Sequence, residues 1–311
     1  MLVSSIISVN TECNSRCNSC DFWKNKNISL SFEEITEFVN HFKKLDQVMI
    51  SGGEPLLYHN LKEILLFLKN KNIQIMLNTN GILLNEIKAE IFDNIDHIII
   101  SLDSSTREGY LKLRGVDKFE QVIDNIKYIK AKFPKIIITL RTTIMKGNLL
   151  DIFNIQKLSV LLQCRHSLNP VDAFSNNFNR KREIRYDLIP DILELKKFLT
   201  IMKQEKIFNT EREKNATWTK QKFVKLVNYF YRLQKNKLDI KLDNECIVPW
   251  TTLLLEANGD VKRCFYSEVI GNIKNTSFIL EEKLTQESIT TEIKDLKNAK
   301  KCLDCRTKLF C

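Results

Sequence analysis

Over the first 171 positions the hydrophobic pattern alternates between two rhythms. Short, largely apolar runs at Val3–Val9, Gln47–Ser51, Ile73–Asn78, His97–Asp103, Ile136–Ile144 and Cys164–Val171 read as strands. Between them apolar residues recur every three or four positions, as in Phe32, Ile35, Phe38, Val39, Phe42 and Leu45. Phe119, Val122, Ile123, Ile126 and Ile129 repeat that spacing, which puts one buried face on a helix. Ser31 and Glu34 form a capping-box pair that satisfies two free N–H groups at the first helix start. Runs such as Ile98–Leu102 are apolar on both faces, as parallel strands covered by helices are. Six βα units predict an α/β chain, a partial (βα)6 TIM-type barrel with its site at the C-terminal ends of the strands.

The rhythm breaks after residue 171. Pro190 suits a first helical turn, Ile192, Leu195, Leu199 and Met202 form one stripe, and Phe223, Val227, Phe230 and Tyr231 form another. These are packing faces of a helical insert. Thr251–Glu256, an Asn258-Gly259 turn and Val261–Phe265 then read as a β-hairpin flanked by cysteines. The expected division is a barrel over 1–171, a helical insert over 172–238, and a small hairpin-and-helix module over 239–311.

Of the 311 residues 28% are charged, with a net charge of +10. Between Ile201 and Ile240 there are ten Lys/Arg and four Asp/Glu, so +6 of that excess lies on helix-like sequence. No aromatics are interleaved as in a strand-binding groove, so a solvated helical face is the better reading and nucleic acid is not an expected partner. No apolar run approaches the roughly 20 residues of a membrane helix, and residues 1–10 lack signal-peptide character, so a cytoplasmic protein is expected. Nine cysteines in such a protein point to metal or redox chemistry, not disulfides.

Their positions narrow this. Cys13-x3-Cys17-x2-Cys20 follows the first strand in a loop. Three thiolates suit three irons of a [4Fe–4S] cluster and leave the fourth iron open to a ligand. Zinc would want a fourth protein ligand nearby, and His41, the nearest histidine, lies on a helix outside the loop. Ser51-Gly52-Gly53-Glu54-Pro55, Asn78-Thr79-Asn80-Gly81 and Ser101-Leu102-Asp103 end the next three strands. Each alone is a generic strand end.

In this order they resemble the radical S-adenosylmethionine (SAM) superfamily. The resemblance implies a SAM-binding [4Fe–4S] cluster on Cys13, Cys17 and Cys20. It places Gly52, Gly53 and Glu54 at the SAM amino group, and Asn78, Ser101 and Asp103 at the ribose and carboxylate. Arg141 has the planar fork to pair with the methionine carboxylate. One departure is Ser19, where the family carries an aromatic residue that seats adenine; Phe22 and Trp23 follow closely.

In the tail, Cys246-x12-Gly-x4-Cys264, then Cys302-x2-Cys305 and terminal Cys311, can gather four thiolates. By spacing alone zinc and iron–sulfur are even. Beside a radical SAM core the pattern resembles the twitch module, a short form of the SPASM domain, which implies one auxiliary [4Fe–4S] cluster on Cys246, Cys264, Cys302 and Cys305. Cys311 either replaces a ligand or is left over. Cys164 reads as a core thiol.

The family resemblance implies reductive SAM cleavage to a 5′-deoxyadenosyl radical, hydrogen abstraction from the substrate, and an electron donor such as flavodoxin or ferredoxin. An all-cysteine auxiliary cluster suits electron transfer, so a two-electron oxidation of a small molecule is expected, as in twitch-bearing dehydrogenases. Peptide modification is the alternative, although Cys13 comes too early for the recognition domain that peptide-modifying relatives often carry before it. The cyclase branch with a similar tail ends in Gly-Gly, which is absent here. A non-catalytic iron–sulfur or zinc protein would not need Gly52, Gly53 and Glu54. His166, Asp172, Glu256 and Tyr266 could each face the pocket as proton donors or acceptors, but surface solvation or local hydrogen bonding explains each equally well, so no catalytic residue is assigned.

Overall fold

A computed structural model describes residues 4–24, 26–172, 185–204, 220–235, 251–264 and 267–275. Nine strands form one open sheet: β1 (Ser4–Ser8), β2 (Gln47–Ser51), β3 (Gln74–Thr79), β4 (His97–Ser101), β5 (Ile137–Ile144), β6 (Arg165–Pro170), β7 (Thr252–Leu255), β8 (Asp260–Lys262) and β9 (Gly271–Asn272). Their order is β6-β5-β4-β3-β2-β1-β7-β8-β9. From β6 to β7 every pairing is parallel, and β7-β8-β9 is antiparallel. Among the described residues the sheet is not closed, so the barrel is partial as the βα rhythm predicts.

The helices are α1 (Phe32–Asn40), α2 (Leu61–Asn70), α3 (Ala89–Phe92), α4 (Arg107–Arg114), α5 (Phe119–Lys132), α6 (Ile152–Leu161), α7 (Ile192–Gln204) and α8 (Lys220–Gln234). At α1 the capping box forms as its sequence dictates: Glu34 N–H donates to Ser31 Oγ at 3.1 Å, and Ser31 N–H to Glu34 Oε2 at 2.8 Å. Ile7, Val48, Ile50, Ile75, Leu77, Ile98, Ile100, Ile138 and Leu140 alternate onto the helix-covered side and join Ile35, Phe38, Ile64, Leu65, Val122 and Ile126 in the main core.

Period-two alternation puts Ser8, Ser51, Asn78, Ser101, Arg141 and Ser167 on the opposite face, all half-buried. The register pairs Ser8 with Ser51, Ser101 with Arg141, and Arg141 with Ser167. A polar row therefore crosses the sheet near its C-terminal edge.

The insert packs on the β5–β6 end. Phe198 stacks on Phe153 of α6 at 5.5 Å and meets Phe223 of α8 at 5.4 Å. Helix α7 begins after Pro190, where Asp191 Oδ1 accepts the Glu194 N–H at 2.9 Å. On α8 the buried face is Phe223, Leu226, Val227, Phe230 and Leu233, whereas Tyr231 is exposed, one step off the predicted stripe. The predicted hairpin forms as β7 and β8, and its first strand continues the barrel sheet along the free edge of β1.

Candidate functional site

The loop from Asn10 to Lys24 leaves β1 and carries Cys13, Cys17 and Cys20, all free thiols. Three neighbours hold it. The first is the end of β2: Gly53 N–H donates to Asn10 O at 2.8 Å and Glu54 N–H to Glu12 O at 2.6 Å. A Cβ on Gly53 would lie 2.1 Å from Glu12 O, so only glycine lets the two backbones approach. Gly52 faces Asn10 in the same manner. The second is the end of β3, where Asn80 Nδ2 donates to Asn14 Oδ1 at 2.6 Å. The third is the C-terminus of α4: Arg16 N–H donates to Arg114 O at 3.0 Å and Asn18 N–H to Leu113 O at 3.1 Å.

Glu54 is fully buried. Its carboxylate accepts from Thr79 Oγ1 at 2.6 Å, Asn80 N–H at 2.8 Å and Leu56 N–H at 3.1 Å. Burial pushes this carboxyl above its ordinary range, and those three bonds oppose the shift. The side chain thus braces the ends of β2 and β3 against each other. Asp103, 1% exposed, accepts from Thr143 N–H at 2.7 Å and Arg114 Nη1 at 2.9 Å. On the polar row Asn78 Nδ2 donates to Ser51 Oγ at 3.1 Å, and Arg141 Nη1 approaches Asn78 Oδ1 at 3.4 Å. Asn78, Ser101 and Arg141 therefore share one half-buried face, while Glu54 and Asp103 are engaged within the protein.

Burial raises the pKa of all three cysteines, that of Cys20 to about 12; the Arg114 charge opposes this at each of them. Metal binding here must expel protons from buried thiols, which couples loading to pH. Among the described residues no three His, Cys, Asp or Glu side chains converge on one ion-sized point. Cys13, Cys17 and Cys20 would each give one thiolate to an iron of a four-iron cluster. Ser15 N–H reaches Cys13 Sγ at 3.4 Å, and Trp23 Nε1–H donates to Cys17 O at 3.3 Å. The cations of Arg16 and Lys24 are 5.4 and 5.2 Å from the ring centre of Trp23, which lies in the same loop as Ser19, where the sequence departs from the aromatic pattern. A cavity of about 570 Å³ opens beside Cys17, lined by Trp23, Leu113, Met145, Arg185, Leu188 and Glu194 among others.

His166 does not face the polar row. Its ring lies on the helix side, Nε2 2.9 Å from Thr142 Oγ1 and Nδ1 2.9 Å from Gln156 Oε1 of α6, and burial lowers its pKa to about 4. Asp172 is buried just beyond β6. Glu256 accepts from Lys262 Nζ at 2.9 Å beside the hairpin turn. Cys164 packs at the rim of the main core with a thiol pushed up to about 11 by burial. Cys264 ends the hairpin. Tyr266, Cys246, Cys302, Cys305 and Cys311 lie outside the described residues. Arg114 was not singled out from sequence; its signal there is an arginine followed at once by Gly115, which closes α4 in the left-handed region at φ +70.

Fold and site define a class: an open parallel barrel that presents a three-cysteine loop and a polar row at one end of its strands, built for SAM-dependent iron–sulfur chemistry. The profile of the radical SAM superfamily matches residues 7–153, and that of SPASM, an iron–sulfur cluster-binding domain, matches residues 246–306. The chain belongs to the radical SAM superfamily and carries a C-terminal SPASM-type module; the two domains imply SAM, its [4Fe–4S] cluster and an auxiliary iron–sulfur cluster.

The chain is 27% identical over 178 residues to a putative glycyl-radical enzyme activating enzyme of Methanocaldococcus jannaschii, covering 55% of this chain and 68% of that one. It is 34% identical over 187 residues to a probable GTP 3′,8-cyclase of Methanococcus aeolicus, covering 53% and 59% respectively. Among solved structures, Streptococcus suis SuiB aligns with a TM-score of 0.67 at 17% identity, over 100% of this chain and 72% of that one. The structure of anSMEcpe with bound AdoMet aligns at 0.64 and 17%, over 100% and 85%. At these identities the structural likeness is one of fold. Among the described residues no helix is long and apolar enough to cross a membrane.

Proposed function

We propose that this radical SAM enzyme is an oxidoreductase that takes a small molecule through a two-electron oxidation. Cys13, Cys17 and Cys20 would hold the first cluster, and Cys246, Cys264, Cys302 and Cys305 the auxiliary one. When bound, the first cluster with SAM supplies a 5′-deoxyadenosyl radical, and the auxiliary cluster supplies a one-electron acceptor. A substrate C–H bond breaks, its hydrogen leaves as 5′-deoxyadenosine, and the substrate then loses one electron and one proton. The protein's own part is placement. The backbone at Gly52 and Gly53 fixes the cysteine loop against β2, Glu54 holds the ends of β2 and β3 together, and Asn78, Ser101 and Arg141 present polar groups to SAM, with the Arg141 fork suited to its carboxylate. Electrons would come from a low-potential carrier such as flavodoxin or ferredoxin, in a cytoplasmic setting, and 1–171, 172–238 and 239–311 would be the barrel, insert and auxiliary module.

The observation that carries the small-molecule reading is the cavity of about 570 Å³ beside Cys17, which is the size of a small-ligand site and mixes apolar side chains (Trp23, Leu113, Met145, Leu188) with charged ones, mostly lysine and arginine, as a polar or anionic small molecule would need. A second reading, peptide modification, draws on two fold neighbours whose structures contain peptides, SuiB with its precursor peptide SuiA and anSMEcpe with a Cp18Cys peptide. Anaerobic incubation with SAM, reductant and panels of small metabolites or peptides separates the two. The proposal expects 5′-deoxyadenosine whose yield depends on a small molecule, with a product two hydrogens lighter. Stimulation by peptides alone would replace it with the second reading.

A further inference from the structure

The inference rests on the assignment of Cys13, Cys17 and Cys20 to the first cluster. Arg114 ends α4, and only 8% of the residue is exposed. Its carbonyl and that of Leu113 accept the N–H groups of Arg16 and Asn18, the two residues that flank Cys17. Its Nη1 is fixed on Asp103 Oδ2 at 2.9 Å, and Asp103 is fixed in turn by the Thr143 N–H. Nε of Arg114 is buried and meets no acceptor among the described residues, and the buried Ser15 Oγ has no hydrogen-bond partner either. The two backbone bonds from Arg16 and Asn18 set the buried Arg114 side chain, with its fixed positive charge, beside the segment that carries Cys17.

A buried guanidinium with a donor to spare is costly unless further negative charge lies nearby. A four-iron cluster on three thiolates brings that charge, and each electron it accepts adds one more unit. We propose that Arg114 is a positioning residue for the first cluster, whose fixed positive charge stabilises the reduced state and sets the potential at which the cluster takes up the electron used to cleave SAM. The electron comes from the low-potential carrier protein, and no bond is made or broken at Arg114. Asp103 opposes it with a fixed negative charge, so the pair sets the potential between them.

The test is a potentiometric titration of the full-length, cluster-loaded protein without SAM, followed by electron paramagnetic resonance. The first cluster is identified as the signal missing when Cys13, Cys17 and Cys20 are all replaced by Ala, and the auxiliary signal serves as an internal reference. At a fixed potential, Arg114→Gln should lower the reduced-to-oxidised ratio of the first cluster by about tenfold, or about 59 mV for a one-electron couple. Arg114→Lys should stay near the parent, and Asp103→Asn should raise the ratio several-fold. A parent-like ratio in Arg114→Gln, or an equal shift in Arg114→Lys, overturns the proposal. If Arg114→Gln assembles no first cluster, Asp103→Asn decides, and an unchanged ratio there is equally fatal. A parent lacking the first-cluster signal would instead overturn the assignment of the three cysteines beneath it.

Discussion

Glu54 and Asp103 stand where the family pattern puts SAM contacts, yet both spend their carboxylates on the protein itself. The motif was legible in the sequence because its glycines and carboxylates fall at strand ends. The direction in which each carboxylate points depends on which neighbouring strand end offers N–H groups, and that is a tertiary fact. Glu54→Gln keeps the shape but turns an amide NH2 toward a donor, so it should cost about 1–3 kcal/mol in urea unfolding. A parent-like midpoint would mean the three bonds are not holding the strand ends. His166 was legible as titratable, and the sequence left open whether it faces the pocket or bonds locally; the fold gives it local partners in Thr142 and Gln156. It is neutral in the fold, with a pKa of about 4 against an unfolded value near 6.5, so acid protonates the unfolded chain first. Its contribution is complete above pH 6.5 and is lost as pH falls toward 4, about 3 kcal/mol in all. His166→Gln should flatten stability between pH 6.5 and 4, measured by denaturant midpoints; an unchanged slope there would remove His166 as the source.

At the scale of elements, strands and helices of the barrel were legible because each carries its own period, and the capping box fixed the start of α1 locally. Ser31→Ala should cost about 1 kcal/mol, read as a shift in the unfolding midpoint with iron content unchanged. The face of α8 was less legible. Tyr231 and Leu226 both sit near the edge of a plausible stripe, and the packing of Phe223 against Phe198 selects the one that buries Leu226. The link between α4 and the cysteine loop left no periodic trace at all. Gly115 shows why: a Cβ there would lie 2.3 Å from Arg16 O, in a left-handed conformation that disfavours a side chain. Gly115→Ala should therefore push the loop off α4 and lower iron at the first cluster while the auxiliary iron stays, as read by Mössbauer or by iron per chain in variants lacking one cluster.

Over the whole molecule, the feature hidden from sequence is that the C-terminal hairpin belongs to the barrel sheet. Strand β7 pairs with β1 from Ser4–Thr252 to Ile7–Leu255, and Leu255 is fully buried in the main core. An edge partner 248 residues away leaves no local signature. The cysteine loop begins where β1 ends, so β1 connects the first-cluster loop on one side to the hairpin that ends in Cys264 on the other. Because of this continuity, the two iron sites are separated by function only with a change confined to the auxiliary ligands. Cys302→Ala with Cys305→Ala removes half of the proposed auxiliary ligand set and leaves the sequence of the β1 loop and the polar row unchanged. SAM binding and slow, substrate-independent SAM cleavage should survive, whereas oxidised product should vanish, because the substrate that has lost a hydrogen atom has nowhere to leave its second electron. Loss of a cluster also loosens whatever it ties together. The comparison is therefore made on protein whose circular dichroism and first-cluster iron match the parent, with 5′-deoxyadenosine and product measured in the same reaction. Parent-rate product formation would show that the auxiliary site serves structure alone, and zinc in the parent protein at that site would remove the electron-acceptor role altogether.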